Sequence, residues 1–339
     1  MTNKTAFVYY LEYTNDDSIY INLLKESIRS LIDNNYCKGD DIFVNVIGYS
    51  GSPVWENNKY NLAGKQDGIK VQLAQLSEQY NINIIDISEG RLHYVELPVM
   101  VNLPLPIVND THTYESKDTT RLKIFNHKFT SFKEIIDKGY DRIIQIDADL
   151  IFYSQSPNIF DVPVSSDPDE IYMCRFNSIL LSDEIDNSIK TEYIKNCLND
   201  REHNNTQLFS LKNTPETRNK YNLAKNFLKG FINYDLDNLV EDICNQKFWV
   251  SGGVGIFSKA FIEKHFAKLS FINYFFTKDD EIALMIYCFA SKIKLSHLDP
   301  NYLISYGRKS YDVNKHVAYH PCGDNTIKAE FIENNFIPI

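Results

Sequence analysis

Between Ala6 and Ile87, short β-rich apolar runs alternate with segments of helical period, and this alternation does most to restrict the fold. Ala6–Tyr13 reads as a buried first strand that stops at Thr14-Asn-Asp-Asp17, residues with the chemistry of a turn and a helix N-cap. From Ser18 the apolar residues Ile21, Leu24, Ile28, Leu31 and Ile32 recur at helical spacing. A second strand spans Asp41–Gly48, a helix Val71–Tyr80, and a third strand Ile82–Ile87. Strands separated by helices pair in parallel through right-handed crossovers. The expectation is an open α/β sheet flanked by helices, with its crevice beyond the carboxyl ends of the strands.

At the end of a further β-rich run, Tyr140–Phe152, two carboxylates stand with only Ala148 between them: Asp147 and Asp149. Side chains at i and i+2 leave the same face of an extended chain, so both can aim at one point while Ile144, Ile146, Leu150 and Ile151 pack. Two unpaired anions this close repel unless a cation or hydrogen-bond donors hold them. A hard divalent ion, Mg²⁺ or Mn²⁺, takes such oxygen ligands and shares them with substrate phosphates. The alternative is a strand end running into a solvated acidic turn.

With 339 residues, 43% hydrophobic and 24% charged, the chain can bury a full core in one large α/β domain or two smaller ones. Its formal net charge of -10 argues against a general nucleic-acid surface but not against a local basic pocket. The six cysteines are scattered without a Cys-x-x-Cys, which fits reduced thiols and weighs against a zinc centre. The apolar stretch Ala6–Leu11 is broken at Glu12, too early for a signal peptide, and no apolar run of about 18 residues occurs. The expectation is a soluble, cytoplasmic protein without a membrane anchor.

Glu89–Lys117 is rich in proline and polar residues and reads as loop; Thr119–His127 and a helix to about Gly139 follow. Arg121 and Lys123 stand just upstream of the paired carboxylates, where a helix start would bring cations and free N–H groups toward a phosphate; alternatively both are solvated charges. From Ser154 to Gln246 the pattern degrades, with Ser165–Glu170 and Asn199–Asn205 reading as loops and Thr217–Phe231 as helix. Regularity returns at Lys247–Ser258, where Gly252, Gly253 and Gly255 interrupt an apolar strand. Such glycines mean that backbone or ligand approaches closely, or mark a bulge needed for packing. A helix over Ala260–Lys268, a second helix opened by Asp279-Asp-Glu281, the segment Leu295–Leu303, and a lone His320 beside turn residues complete the chain.

Taken together, these pieces resemble the GT-A glycosyltransferases, and most closely glycosyltransferase family 8, the glycogenin and bacterial galactosyltransferase group. Asp16-Asp-Ser-Ile-Tyr20 resembles that family's nucleotide loop, and Thr120–Ile124 its basic segment. Arg142–Ile151 resembles the Asp-x-Asp strand, and Val250–Phe257 the Asn-(Ser/Ala)-Gly strand, with Ser251 in place of Asn. Asp279–Leu284 resembles the Asp-Gln-Asp helix start, and His320-Pro-Cys-Gly323 with Lys328 the His-x-x-Gly-x-x-Lys signature, the Lys lying two residues late.

The resemblance implies one GT-A domain over 1–339, an open mixed sheet flanked by helices with an elaborated helical and loop insertion: a nucleotide-binding half at 1–153, an elaborated acceptor-side region at 154–246, and a C-terminal donor and acceptor segment at 247–339. It implies a metal-dependent transferase that moves a hexose from a UDP-sugar to a hydroxyl of a glycan or protein, with retention at the anomeric carbon. Asp147, Asp149 and His320 would hold Mn²⁺ or Mg²⁺, the imidazole favouring Mn²⁺. Thr14, Asp17, Tyr20, Arg121, Lys123, Ala148, Gly252, Gly253, Gly323 and Lys328 would hold the nucleotide-sugar, while Asp280, Glu281 and Arg121 would serve the reaction. Two other readings stay open at this point. A sugar-1-phosphate nucleotidyltransferase calls for a Gly-rich basic loop after the first strand, where this chain has the acidic Thr14–Asp17. A catalytically silent binding module would account for Ser251 and the Asp-Asp-Glu triplet.

Overall fold

A computed structural model describes residues 4–12, 17–47, 66–87, 130–163, 165–175, 183–203, 225–226, 228–275, 280–307, 311–321 and 325–338. Elements are numbered over these residues. The first strand, β1 (Thr5–Glu12), is central: Ala6, Phe7, Val8 and Tyr9 are all buried, as a strand covered on both faces requires. It pairs in parallel with β2 (Ile42–Ile47) on one side and β4 (Arg142–Ile146) on the other, and β2 pairs in parallel with β3 (Asn83–Ile87). The crossovers are α1 (Asp17–Asp33), α2 (Gln66–Tyr80) and α3 (Thr130–Asp137). Ile21, Leu24, Ile28 and Leu31 of α1 are buried, the stripe that its 3.6-residue period foretells. Asn35 and Asn81 follow α1 and α2 with positive φ, 58° and 57°, and so end those helices.

Beyond β4 the sheet turns mixed. Strand β7 (Val250–Ser258) runs antiparallel to β4 and to β6 (Glu170–Arg175), and β6 pairs in parallel with β8 (Lys294–His297), giving the order β3-β2-β1-β4-β7-β6-β8. Parallel pairing, inferred from the N-terminal alternation, holds for the first four strands, and the antiparallel β7 makes the sheet mixed, as expected. That strand follows α5 (Leu239–Gln246) and enters from the opposite end of the sheet. A second sheet has the order β5-β10-β9, from β5 (Ile151–Phe152), β9 (Ile304–Tyr306) and β10 (Ala318–His320). The remaining helices are α4 (Asn187–His203), α6 (Lys259–Phe275), α7 (Asp280–Ser291) and α8 (Asn325–Glu333).

The stretch read as irregular contains a strand of the main sheet. Glu170 opens β6 rather than closing a loop, and Asn199–His203 belong to α4. That helix is capped by Asp186, whose Oδ1 accepts from the Ser188 N–H at 2.7 Å, and its buried Ile194 anchors it. With no Gly or Pro to stop it, the polar Asn-Asp-Arg-Glu-His tail continues the helix. Residues 225–226 and 228–232 are helical, within the helix read over Thr217–Phe231. Toward β6 the register passes from Met173–Gly255 to Cys174–Ser251, so the bulge alternative holds for Gly252 and Gly253. A Cβ on Gly255 would meet the Met173 sulfur, so that glycine marks a close approach. Among the described residues no helix is long and apolar enough to cross a membrane. Cys37, Cys174, Cys244 and Cys288 carry free thiols.

Candidate metal and anion centre

Strand β4 ends at Ile146, and Asp147–Leu150 form a turn closed by the Leu150 N–H donating to the Asp147 carbonyl at 3.1 Å. The two carboxylates therefore converge through a turn and not through the pleat of one strand, a correction to the alternation argument. The difference shows in burial: Asp149 is 5% exposed, while the Asp147 side chain is 38% exposed.

Helix α1 fixes this turn. Ser27 Oγ donates to the Leu150 carbonyl at 2.5 Å and meets Tyr9 Oη at 2.9 Å. One turn on, Ser30 Oγ accepts from the Phe152 N–H at 3.0 Å, and Asn34 Nδ2 donates to the Phe152 carbonyl at 3.1 Å. Positions 27, 30 and 34 lie on one face of a helix, so α1 carries a polar stripe that matches the backbone groups of the segment after the carboxylates. Short hydroxyls on an apolar helix face are the signal of this role in the sequence.

From the other side, β10 delivers His320. Its Nε2 lies 2.8 Å from Asp149 Oδ1 and 3.8 Å from Asp147 Oδ2, although His320 and Asp149 are 171 residues apart. Helix α8 adds Lys328, 7% exposed, whose Nζ is 2.9 Å from Asp149 Oδ2. The same ammonium donates to Tyr20 Oη at 3.1 Å and sits 4.7 Å from the centre of that ring. Each oxygen of Asp149 is thus engaged by a different cation or donor.

Burial alone would raise the Asp149 pKa, but His320 and Lys328 outweigh it and hold the carboxyl well below its usual range. Burial likewise opposes the charged forms of His320 and Lys328, and Asp149 overcomes it in both, so both pKa values rise.

The glycine strand closes the floor. The Asp147 N–H donates to the Gly253 carbonyl at 2.9 Å, and Gln145 Nε2 donates to the Gly252 carbonyl at 2.9 Å. A Cβ on Gly253 would meet the His320 ring at 3.1–3.2 Å, so the side chain is absent where the imidazole must lie. Tyr306 stands edge-on to the same ring, with centroids 5.5 Å apart. Glu281, in the first turn of α7, accepts the Gly252 N–H through Oε1 at 2.6 Å. Gln145 and Tyr306 were not anticipated; a lone amide in an apolar strand was the only hint of the first.

Of the anticipated residues, the structure brings together Asp147, Asp149, His320, Lys328, Tyr20, Gly252, Gly253 and Glu281, with Ala148 buried in the turn. Asp17 and Asp280 are the first residues of α1 and α7. Thr14, Arg121, Lys123 and Gly323 lie outside the described residues.

One ligand atom from each of Asp147, Asp149 and His320 lies within 4.8 Å of the others. Two carboxylate oxygens and an imidazole nitrogen on one small volume fit a six-coordinate divalent ion of the Mn²⁺ type that keeps positions for water or substrate oxygens. A thiolate-poor, oxygen-rich set disfavours a structural zinc.

No protein-family model and no curated protein matches the chain. Among solved structures it is similar to the bifunctional glycosyltransferase WbbM in its apo form, at 14% identity and a TM-score of 0.47. That overlap covers 98% of this chain and 50% of the other, so this chain spans half of that protein's length. It is also similar to mouse xyloside xylosyltransferase 1, apo form, at 13% identity and a TM-score of 0.44, over 95% and 98% of the two chains. The galactosyltransferase LgtC in complex with donor and acceptor sugar analogues gives 12% identity and a TM-score of 0.39, over 97% and 94%.

Proposed function

We propose that this chain is a GT-A glycosyltransferase of the family 8 type that moves a hexose from a UDP-sugar to a hydroxyl acceptor with retention. The observation that carries the reading is the convergence of Asp147, Asp149 and His320 beside the Lys328 ammonium. With a divalent ion on the two carboxylates and neutral His320, the ion offsets both carboxylates and the Lys328 ammonium stands beside them as a cation. Such a site attracts a diphosphate rather than a neutral or cationic ligand.

Cleavage of the bond between the anomeric carbon and the phosphate oxygen places charge on the departing UDP. A bound divalent ion supplies Lewis-acid stabilisation of that charge. The protein supplies the rest. Lys328, with Arg121 and Lys123, offers cations to the diphosphate. Tyr20 and Asp17, at the start of α1, with Thr14 and Ala148, offer the uridine its stacking and hydrogen-bonding partners. Gly252, Gly253 and Gly323 let backbone approach the donor, and Asp280 and Glu281 line the acceptor side. The acceptor oxygen bonds to the anomeric carbon on the face that the phosphate oxygen leaves, and the acceptor's proton passes to an oxygen of the departing diphosphate.

The test is UDP binding by titration calorimetry, in Mn²⁺ and in chelator, for the wild type and for Asp147→Ala/His320→Ala. The wild type is expected to bind UDP more tightly in Mn²⁺. The double variant is expected to lose that gain while its binding in chelator stays the same. Equal loss in both media would contradict the assignment.

A further inference from the structure

We infer that Lys328 is a built-in counter-cation that competes with the divalent ion for Asp149 and is drawn off by the diphosphate, so that metal and nucleotide bind in mutual dependence. The inference rests on the metal reading of the Asp147–Asp149–His320 cluster and goes beyond it to the order of events there.

The geometry places Lys328 Nζ on Asp149 Oδ2 at 2.9 Å, while Oδ1 faces His320 Nε2 at 2.8 Å. An ammonium bound to one oxygen of a buried carboxylate withdraws its charge from any ion at the other oxygen, and the two cations repel at close range. Lys328 thus stabilises the buried carboxylate by itself and lowers what a metal gains there. Removing one partner of a buried pair leaves the other charge uncompensated, so without the ammonium Asp149 calls for the metal more strongly.

Lys328 has a further partner in the same position. Tyr20 Oη accepts from Nζ at 3.1 Å and the ring lies 4.7 Å beneath it. Tyr20 stands in the first turn of α1, and Lys328 in the first turn of α8, so the ammonium is held between the carboxylate and a helix start. A diphosphate arriving beside the metal offers that ammonium a stronger, doubly charged partner. Once Lys328 turns to it, the penalty on the metal is lifted. By linkage the metal must then favour diphosphate by the same factor.

The test reads Mn²⁺ affinity from the free-ion electron paramagnetic resonance signal, with and without UDP, for the wild type, Lys328→Met, Lys328→Gln and Lys328→Arg. Gln keeps a donor for Asp149 without the charge and guards against misfolding of the Met variant; Arg keeps the charge. Without UDP, Lys328→Met and Lys328→Gln are expected to bind Mn²⁺ about fivefold or more tighter than the wild type, and to gain correspondingly less on adding UDP. Lys328→Arg is expected to behave as the wild type. Weaker or unchanged Mn²⁺ binding in folded Lys328→Gln overturns the inference while leaving the metal centre standing. Failure of the wild type to bind Mn²⁺ with or without UDP instead overturns the metal reading itself.

Discussion

Glu281 Oε1 accepts the Gly252 N–H at 2.6 Å, which commits one oxygen of this carboxylate to positioning the glycine strand. Gln145 holds the carbonyl of the same residue, and the next carbonyl, of Gly253, takes the Asp147 N–H. The carboxylate on α7 is therefore connected through Gly252 and Gly253 to Asp147 on the β4 turn. Glu281→Gln keeps an acceptor oxygen and is expected to retain turnover within about threefold, whereas Glu281→Ala strands a backbone donor and is expected to lower kcat about tenfold or more. Steady-state kinetics on both variants checks this; equal losses would mean that the charge, not the hydrogen bond, is what matters.

Ser27 joins the β1 hydroxyl of Tyr9 to the carbonyl of Leu150, all inside the core. Ser27→Ala leaves both groups without this partner and is expected to cost about 1–3 kcal/mol in denaturant unfolding. Because Leu150 closes the carboxylate turn, the same variant is expected to bind Mn²⁺ more weakly. Ser27→Cys, of similar size, is expected to recover less than half of the stability, since a thiol is a poor donor.

On the proposed metal assignment, His320 gives Mn²⁺ binding a definite pH sign. Burial disfavours its imidazolium, yet contact with Asp149 raises its pKa above the ordinary 6.5, and a metal must displace that proton from Nε2. Mn²⁺ affinity is expected to rise about tenfold per pH unit below the raised pKa and to level off above it. Replacing His320 with Asn is expected to remove the step. A titration of Mn²⁺ from pH 5.5 to 9 that shows no slope in the wild type would contradict this.

At the C-terminal end of β8, burial and the nearby Arg175 lower the His297 pKa to about 4. Its Nδ1 accepts from the Asp299 N–H at 3.1 Å, so the neutral ring carries its proton on Nε2. A histidine with a depressed folded pKa contributes stability above its unfolded value near 6.5, and that contribution is lost as pH falls toward 4. His297→Gln is expected to flatten the acid side of the stability profile between these values by on the order of 1 kcal/mol, because the ring is only partly enclosed. Urea midpoints at pH 7 and pH 4.5 measure the difference.

The N-terminal half of the fold was legible because each strand and helix between Ala6 and Ile87 carries its own period. Local pattern also placed Asp147 and Asp149 at a strand end. A mixed sheet was expected from the resemblance, but local pattern could not show that β7 is the antiparallel strand, since direction depends on where the chain re-enters the sheet. Nor could it reveal β6, whose Glu170-Ile-Tyr-Met-Cys-Arg175 alternates too weakly to stand out from its polar flanks. At the site, His320 was found through its motif, whereas the pairing of Lys328 with Asp149 and the service of Ser27, Ser30, Asn34 and Gln145 depend on long-range packing that no local spacing encodes.

The most direct test of the central claim is Mn²⁺-dependent release of UDP from UDP-glucose, UDP-galactose and UDP-N-acetylglucosamine by the wild type and by Asp149→Asn, with thermal unfolding confirming that both are folded. The wild type is expected to hydrolyse at least one donor in Mn²⁺ and none in chelator, and Asp149→Asn to lose that activity by about a hundredfold or more. Release by Asp149→Asn at the wild-type rate would contradict a metal-dependent transferase built on this carboxylate.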